Sequence, residues 1–321
     1  MKLATLNNGL PDGQLVVVSD DGARFIDATP VAATLQAAIE KWSDAAAGLQ
    51  HLATQLADGG GDPIGETRFA APLPRAWQWL DGSAFDSHGD LMQVVFNLPP
   101  NPKGRPLMYQ GMSHQFLGPL DDVILPSETD GIDFEGEFGV ITDFVPMGVS
   151  AEDAMAHIKL IVQINDWSLR AIAPVEMKTG FGWVQAKPAC SVAPFAVTPD
   201  VLGSAWANGR VCLPLAVDWN GARFGNASGE AMSYGFHELI AHAAHSRSLC
   251  AGTVIGSGTV SNENFREVGS SCIAERRGIE IVDHGAAVTN FMSFGDTVRM
   301  EATMPDGTVL FGRINQQVIK A

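Results

Sequence analysis

The chain is short of positive charge. Lys and Arg number 20 against 36 Asp and Glu, a formal net charge of −16 over 321 residues. A surface this acidic repels phosphate backbones and anionic headgroups, which argues against nucleic acid and membrane surfaces as partners. Cysteine is scarce too. Cys190, Cys212, Cys250 and Cys272 are the only four, and no two are spaced as a Cys-x-x-Cys pair. They read as buried free thiols in a reducing compartment, not as a zinc or disulfide framework. No uninterrupted apolar run reaches the roughly 18 residues that a membrane span requires. The opening residues, MKLATLNNGLPDGQLVVVSDDG, have no basic stretch followed by an apolar run of leader length. The expectation is a cytoplasmic protein.

What is present is ordinary globular material, 46% hydrophobic and 17% charged, enough for one large domain or two smaller ones. QLVVV, SDDG and ARFIDA read as a β-hairpin. The following TPVAATLQAAIEKWSDAAAGLQHLATQLADGGGD has helical apolar spacing and ends in a glycine run that cannot continue a helix. These elements predict a small α/β domain over residues 1–72 and a larger domain over 73–321, joined by the proline-stiffened APLPRAW segment. In the larger domain VVFNL, EFGVITDF, HIKLIVQIND, VCLPLAVDWNG, GIEIV and DTVRMEATMPDGTVLFGRI look like strands, with a hairpin turn at residues 305–307. Residues 231–251 read as a helix. The fold class is therefore α+β, mostly antiparallel.

One apolar stretch carries charge where a core strand should not. GIDFEGEFGV, residues 131–140, places Glu135 and Glu137 at i and i+2, on one face of a strand. That is tolerable if the face meets water, or if a cation lies between the two. Other residues have similar double readings. Asp81 precedes a glycine and can be a turn residue, and Asp166 can cap a helix. His88 can be an ordinary surface histidine, and Lys187 can snorkel to water. Glu275 precedes Arg276 and Arg277, a ready local ion pair, and Asp133 can mark the strand entrance.

Taken in order, these residues resemble the fumarylacetoacetate hydrolase family, in its bacterial branch with a small separate N-terminal domain. The likeness runs from about residue 75 to 320 and rests on Asp81 with His88, on Glu135-Gly136-Glu137, and on Asn165-Asp166-Trp167-Ser168-Leu169-Arg170. Lys187 to Pro194, Gly258-Thr259-Val260-Ser261, Glu275 and the closing GDTV and DGTVLFG strings complete it. The resemblance implies a strand-rich mixed β-roll, usually a homodimer, and chemistry of the kind used in aromatic catabolism. It implies Asp81, Glu135, Glu137 and Asp166 as metal ligands, His88, Glu275 and Lys187 as catalytic residues, and Arg170, Thr259 and Tyr109 at the substrate. Two positions depart from the fumarylacetoacetate-cleaving pattern: Ser83 stands where a Tyr is expected and Ala173 where a Gln is expected.

Four carboxylates without His or Cys make an oxygen-only site, suited to Mg²⁺, Ca²⁺ or Mn²⁺. The expected substrate is an anionic 1,3-diketo or 2-oxo acid able to chelate such an ion. The expected reaction is hydrolysis of a C–C bond. A decarboxylase, hydratase or tautomerase at the same metal site is the alternative, and a non-catalytic metal-binding protein on the same scaffold is a third reading.

Overall fold

A computed structural model describes residues 1–96 and 104–321. An 11-stranded sheet runs through the molecule. From one edge its path is Asp62–Pro63, Arg24–Asp27, Gln14–Val18, Lys2–Leu6, Ala196–Val197, Ile158–Asn165, Gly136–Thr142, Val254–Gly256, Trp79–Ser83 and Leu107–Gly111. Ser191–Val192 joins it beside Ile158–Asn165. A five-stranded sheet of Ala222–Ser228, Pro214–Trp219, Thr297–Ala302, Ile314–Lys320 and Val123–Leu125 lies in the larger domain. Most neighbours are antiparallel; Val254–Gly256 runs parallel to Trp79–Ser83, and Ile314–Lys320 parallel to Val123–Leu125. The expected α+β class is what the chain adopts.

Alternation explains why the central strands sit where they do. Gly136–Thr142 and most of Ile158–Asn165 are buried on both faces, and their registers run Gln163 to Phe138 and Ile164 to Glu137. One face packs Phe138, Val140 and Ile161 into the main core, and the other packs Ile141, Leu160 and Val162 into a second. That second core is shared with Leu35, Ile39 and Leu49 of the N-terminal unit. The N-terminal unit is thus fused to the larger body, because Lys2 and Leu3 pair with Val197 and Ala196.

Several elements differ from the sequence expectation. The helical run after the first hairpin is two helices, Leu35–Glu40 and Trp42–Ala57, with a break at Lys41. The helix expected over 231–251 is confined to Phe236–Ala243. Val94, Val95 and Phe96, read as a strand in VVFNL, close the helix Asp86–Phe96; the rest of that stretch lies outside the described residues. GIEIV lies inside the helix Ile273–His284. Both runs are rich in β-branched residues, but the two helices pack on each other, with Leu91, Met92 and Val95 around Gly278. Tertiary contact overrides the local preference. Of the cysteines, all free, Cys190 and Cys272 are buried and Cys250 is exposed. Among the described residues no helix is long and apolar enough to cross a membrane.

Candidate active site

Asp81 sits on Trp79–Ser83 and Glu137 on Gly136–Thr142, with Val254–Gly256 between these two strands. Glu135 lies just before its strand and Asp166 just after Ile158–Asn165. The turn is fixed by Asn165, whose Oδ1 accepts the Glu135 N–H at 2.9 Å, and by the Asp166 N–H, which donates to the Glu135 carbonyl at 3.0 Å. All four carboxylates are buried, and one oxygen from each falls within 4.8 Å of the others. The four residues expected to bind metal are therefore brought together.

Between Asp81 and Glu137 the backbone passes through Gly256. A Cβ there would stand 2.5 Å from Asp81 Oδ1 and 2.9 Å from Glu137 Oε2, so a larger residue would fill the space that the carboxylates face. Both oxygens of Glu137 are buried and, among the described residues, have no hydrogen-bond partner. Burial, then the charge of Asp81, pushes the Glu137 carboxyl well above its usual range. Burial, then Asp166, does the same to Asp81. Glu135 behaves oppositely: burial would raise it, but Lys187 and Arg170 hold it below the ordinary carboxylate range.

Lys187 Nζ donates to Glu135 Oε2 at 3.0 Å and to Asp166 Oδ2 at 2.6 Å. Burial opposes its charge, but Asp166 and Glu135 keep its pKa above the usual lysine value. Four carboxylates, with Asp133 as a fifth on Arg170, leave three negative charges beside Lys187 and Arg170 in a buried space. A divalent cation offsets two of them, and an all-oxygen donor set suits a hard ion. The residues present fit such an ion.

Asp166 is held from three sides. Cys190 Sγ donates to its Oδ1 at 2.9 Å, and the Tyr109 hydroxyl donates to Oδ2 at 2.6 Å. Burial, then Asp166, raises both donors' pKa values, so thiol and phenol stay protonated. Tyr109 stacks on Trp183 at 5.0 Å, and Lys187 Nζ lies 5.3 Å from each ring centre. The Trp183 loop is set by Glu176, whose carboxylate accepts the N–H groups of Val184, Gln185 and Ala186.

His88 and Glu275 meet beside this cluster. His88 stands in Asp86–Phe96 and Glu275 in the first turn of Ile273–His284. Their closest approach is 3.6 Å, Nδ1 to Oε1, ion-pair range and longer than a hydrogen bond. Ser261 donates to Glu275 Oε1, and Ser87 donates to Ser261 at 2.9 Å. Glu275 makes no pair with Arg276 or Arg277, which bond the carbonyls of Phe224 and Thr289. Thr259 is buried in the turn after Val254–Gly256, where the Gly258 N–H donates to Asp81 Oδ1 at 3.0 Å.

Arg170 is engaged with protein. Nε donates to Asp133 Oδ2 at 2.8 Å and Nη2 to Glu135 Oε1 at 2.5 Å; among the described residues Nη1 has no such bond. Asp133, read from the sequence as a strand entrance, is wholly buried and accepts the N–H groups of Ile273 and Ala274. Cys190, Ser261 and Trp183 also escaped assignment. Ser261 stood inside the Gly-Thr-x-Ser turn and Cys190 inside the Lys187 to Pro194 segment, while Trp183 stood in no recognisable string.

Residues 78–319 match the family model described as fumarylacetoacetate (FAA) hydrolase C-terminal, and residues 1–75 match fumarylacetoacetase N-terminal domain 2. The chain is 26% identical over 199 residues to a 2,4-didehydro-3-deoxy-L-rhamnonate hydrolase of Sphingomonas sp. (strain SKA58), covering 61% of this chain and 65% of that protein. It is 27% identical over 206 residues to the mitochondrial oxaloacetate tautomerase FAHD2A of Homo sapiens, covering 61% and 60%. The matched stretch thus spans under two thirds of the length of either relative. Among solved structures, maleylpyruvate hydrolase from Sphingobium sp. SYK-6, in complex with manganese(II) and pyruvate, superposes with a TM-score of 0.68 at 18% identity, with all of both chains covered. The 5-carboxymethyl-2-hydroxymuconate delta-isomerase from Mycobacterium smegmatis gives 0.64 at 17%, covering 100% of this chain and 99% of the other.

Proposed function

We propose that this chain, which belongs to the fumarylacetoacetate hydrolase family, is a divalent-metal-dependent hydrolase that cleaves a C–C bond in a 1,3-diketo acid of the acylpyruvate or fumarylacetoacetate type. The observation that carries the reading is a four-carboxylate cluster with the His88–Glu275 pair beside it. Asp81, Glu135, Glu137 and Asp166 would hold Mg²⁺, Ca²⁺ or Mn²⁺. When bound, such an ion supplies Lewis-acid polarisation of two chelating substrate oxygens and offsets the negative charge left as the bond breaks.

The chain's own groups do the rest. His88 turns Nδ1 toward Glu275, which leaves Nε2 to take a proton from water as the water oxygen bonds to the acyl carbon. The bonding pair of the broken C–C bond passes to the departing fragment as its enolate, pyruvate from an acylpyruvate or acetoacetate from fumarylacetoacetate, and His88 returns the proton there. The products are a carboxylic acid and an oxo acid, 2-oxo from an acylpyruvate and 3-oxo from fumarylacetoacetate. Two of the three donors of Lys187 are taken by Glu135 and Asp166; the third serves the oxyanion of the adduct. Arg170 Nη1 and Thr259 would bind the substrate carboxylate, with Tyr109 as the neighbouring wall.

A second reading has its own support. Ala173 is buried and Ser83 is short, so the two groups that distinguish fumarylacetoacetate cleavage are missing, and one relative is an oxaloacetate tautomerase. A tautomerase, hydratase or decarboxylase of a 2-oxo acid needs the same cation and lysine. Assaying the purified chain with Mn²⁺ or Mg²⁺ against acylpyruvates, fumarylacetoacetate and oxaloacetate tests the two. Release of a carboxylic acid with pyruvate, or of fumarate with acetoacetate, supports the hydrolase; oxaloacetate turnover alone replaces it.

A homodimer belongs to the same proposal. Ile124 and Val184, 61% and 82% exposed, line an open cleft of about 760 Å³. Ile124→Asp should leave a monomer in sedimentation if this face is the contact.

A further inference from the structure

Asp133 lies outside both the four-carboxylate cluster and the His88–Glu275 pair, yet it is 0% exposed and both its oxygens are used. Oδ1 accepts the Ile273 N–H at 2.7 Å. Oδ2 accepts the Ala274 N–H at 2.9 Å and Arg170 Nε at 2.8 Å. Ile273 and Ala274 open the helix that carries Glu275, and opening amides have no partner inside a helix. Arg170 then reaches the metal-cluster residue Glu135 through Nη2. One side chain therefore touches the helix that carries Glu275 and the guanidinium that steadies a ligand.

A cap alone would not need this residue. Ser, Thr or Asn can satisfy opening amides, and none carries a charge into the core. A guanidinium is planar, with its donors in fixed directions. Two carboxylates held by Nε and Nη2 of Arg170 are therefore fixed relative to each other. Backbone contacts close the frame: Ser168 pairs with Asp133, Glu135 bridges Cys272, and the Arg170 N–H donates to the Gly131 carbonyl at 2.8 Å.

We infer that Asp133 is a positioning residue that acts through Arg170, holding the Glu135 carboxylate in register with the helix that presents Glu275. Cation binding and proton transfer are then set by one strut. The inference rests on the metal-dependent reading of the site given above.

The test is Asp133→Asn in the full chain. The amide keeps the size, but its NH₂ must face either Arg170 Nε or a helix amide, donor against donor. Two quantities are read: Mn²⁺ affinity by calorimetry, and kcat and KM at saturating Mn²⁺ for whichever substrate the wild type turns over. Outer partners of metal ligands are worth about 10- to 100-fold in affinity or activity. Mn²⁺ affinity should fall within that range, and kcat at saturation by about tenfold, with KM moving much less. A fall in melting temperature with affinity and kcat intact would make Asp133 a fold residue and overturn the inference. Weakened affinity with intact kcat would also overturn it, since the helix would be uncoupled. If Asp133→Asn does not fold, Arg170→Lys takes its place. Its ammonium keeps the charge but lacks the fork, and unchanged affinity and kcat there would equally overturn the inference. A wild-type chain that binds no Mn²⁺ defeats the metal reading and this inference together; wild-type binding with an unchanged variant defeats this inference alone.

Discussion

His88 and Glu275 approach to 3.6 Å from two helices that meet at Gly278. Neither residue's own helix brings it to the other; the helix–helix contact does. Glu275→Gln keeps the size of the side chain but removes the carboxylate that faces His88 Nδ1. General-base groups contribute about 10² to 10⁴ in rate, and acylpyruvate cleavage should fall by that factor. Decarboxylation of oxaloacetate needs no activated water and should fall much less. Metal affinity should hold, since all four ligands lie on other segments. Both reactions can be followed on one preparation with its metal content measured; undiminished acylpyruvate cleavage would remove Glu275 from the mechanism.

The helix contact gives a second prediction that touches no reacting group. A Cβ on Gly278 would stand 2.8 Å from Met92 Cε and 3.3 Å from Leu91 Cγ and Val95 Cγ2. Met92 can yield, so Gly278→Ala should be mild. Gly278→Leu must push the helices apart, and overpacking costs about 1 to 3 kcal/mol. Cleavage should drop at least tenfold in Gly278→Leu, with Mn²⁺ affinity unchanged by calorimetry. Equal activity of the two variants would mean that the 3.6 Å approach is not set by this contact.

Among the described residues Glu137 has no hydrogen-bond partner for either oxygen. In the metal-free chain its charge opposes folding, so Glu137→Gln should raise the melting temperature in chelator, by about 2 °C for each kcal/mol relieved. The same change should weaken Mn²⁺ binding and remove most of the Mn²⁺-induced rise seen in wild type. A variant with wild-type Mn²⁺ affinity would exclude Glu137 as a ligand.

Lys187→Ala should lower kcat by about 10² to 10³ and move KM less, because its third donor acts on charge that develops during reaction. A change confined to KM would make Lys187 a binding residue.

Glu135 and Glu137 were legible because strand periodicity is local, and charge at period two in an apolar run needs no knowledge of the rest of the fold. Asp133 shares their parity, but Ile132–Asp133 and Gly136–Thr142 are separate strands. The break sends Asp133 toward amides 140 and 141 residues away, which no local pattern shows. The same limit hid the thiol of Cys190, whose partner Asp166 is 24 residues distant. It also misread VVFNL and GIEIV, where each run's β-branched content was visible and the other helix was not.

The pairing of Lys2 with Val197 has a temporal consequence. The first strand leaves the ribosome long before its outer neighbour in the sheet exists. At roughly 5 to 20 residues per second, the 194 intervening positions take about 10 to 40 s to make. Through that interval Lys2–Leu6 has its hairpin mate Gln14–Val18 on one side and an open edge on the other. Closure of so long a loop is also slow in refolding. Nascent chains arrested before residue 196 should therefore be the most prone to edge-to-edge association, and chaperone demand should fall once that strand has emerged.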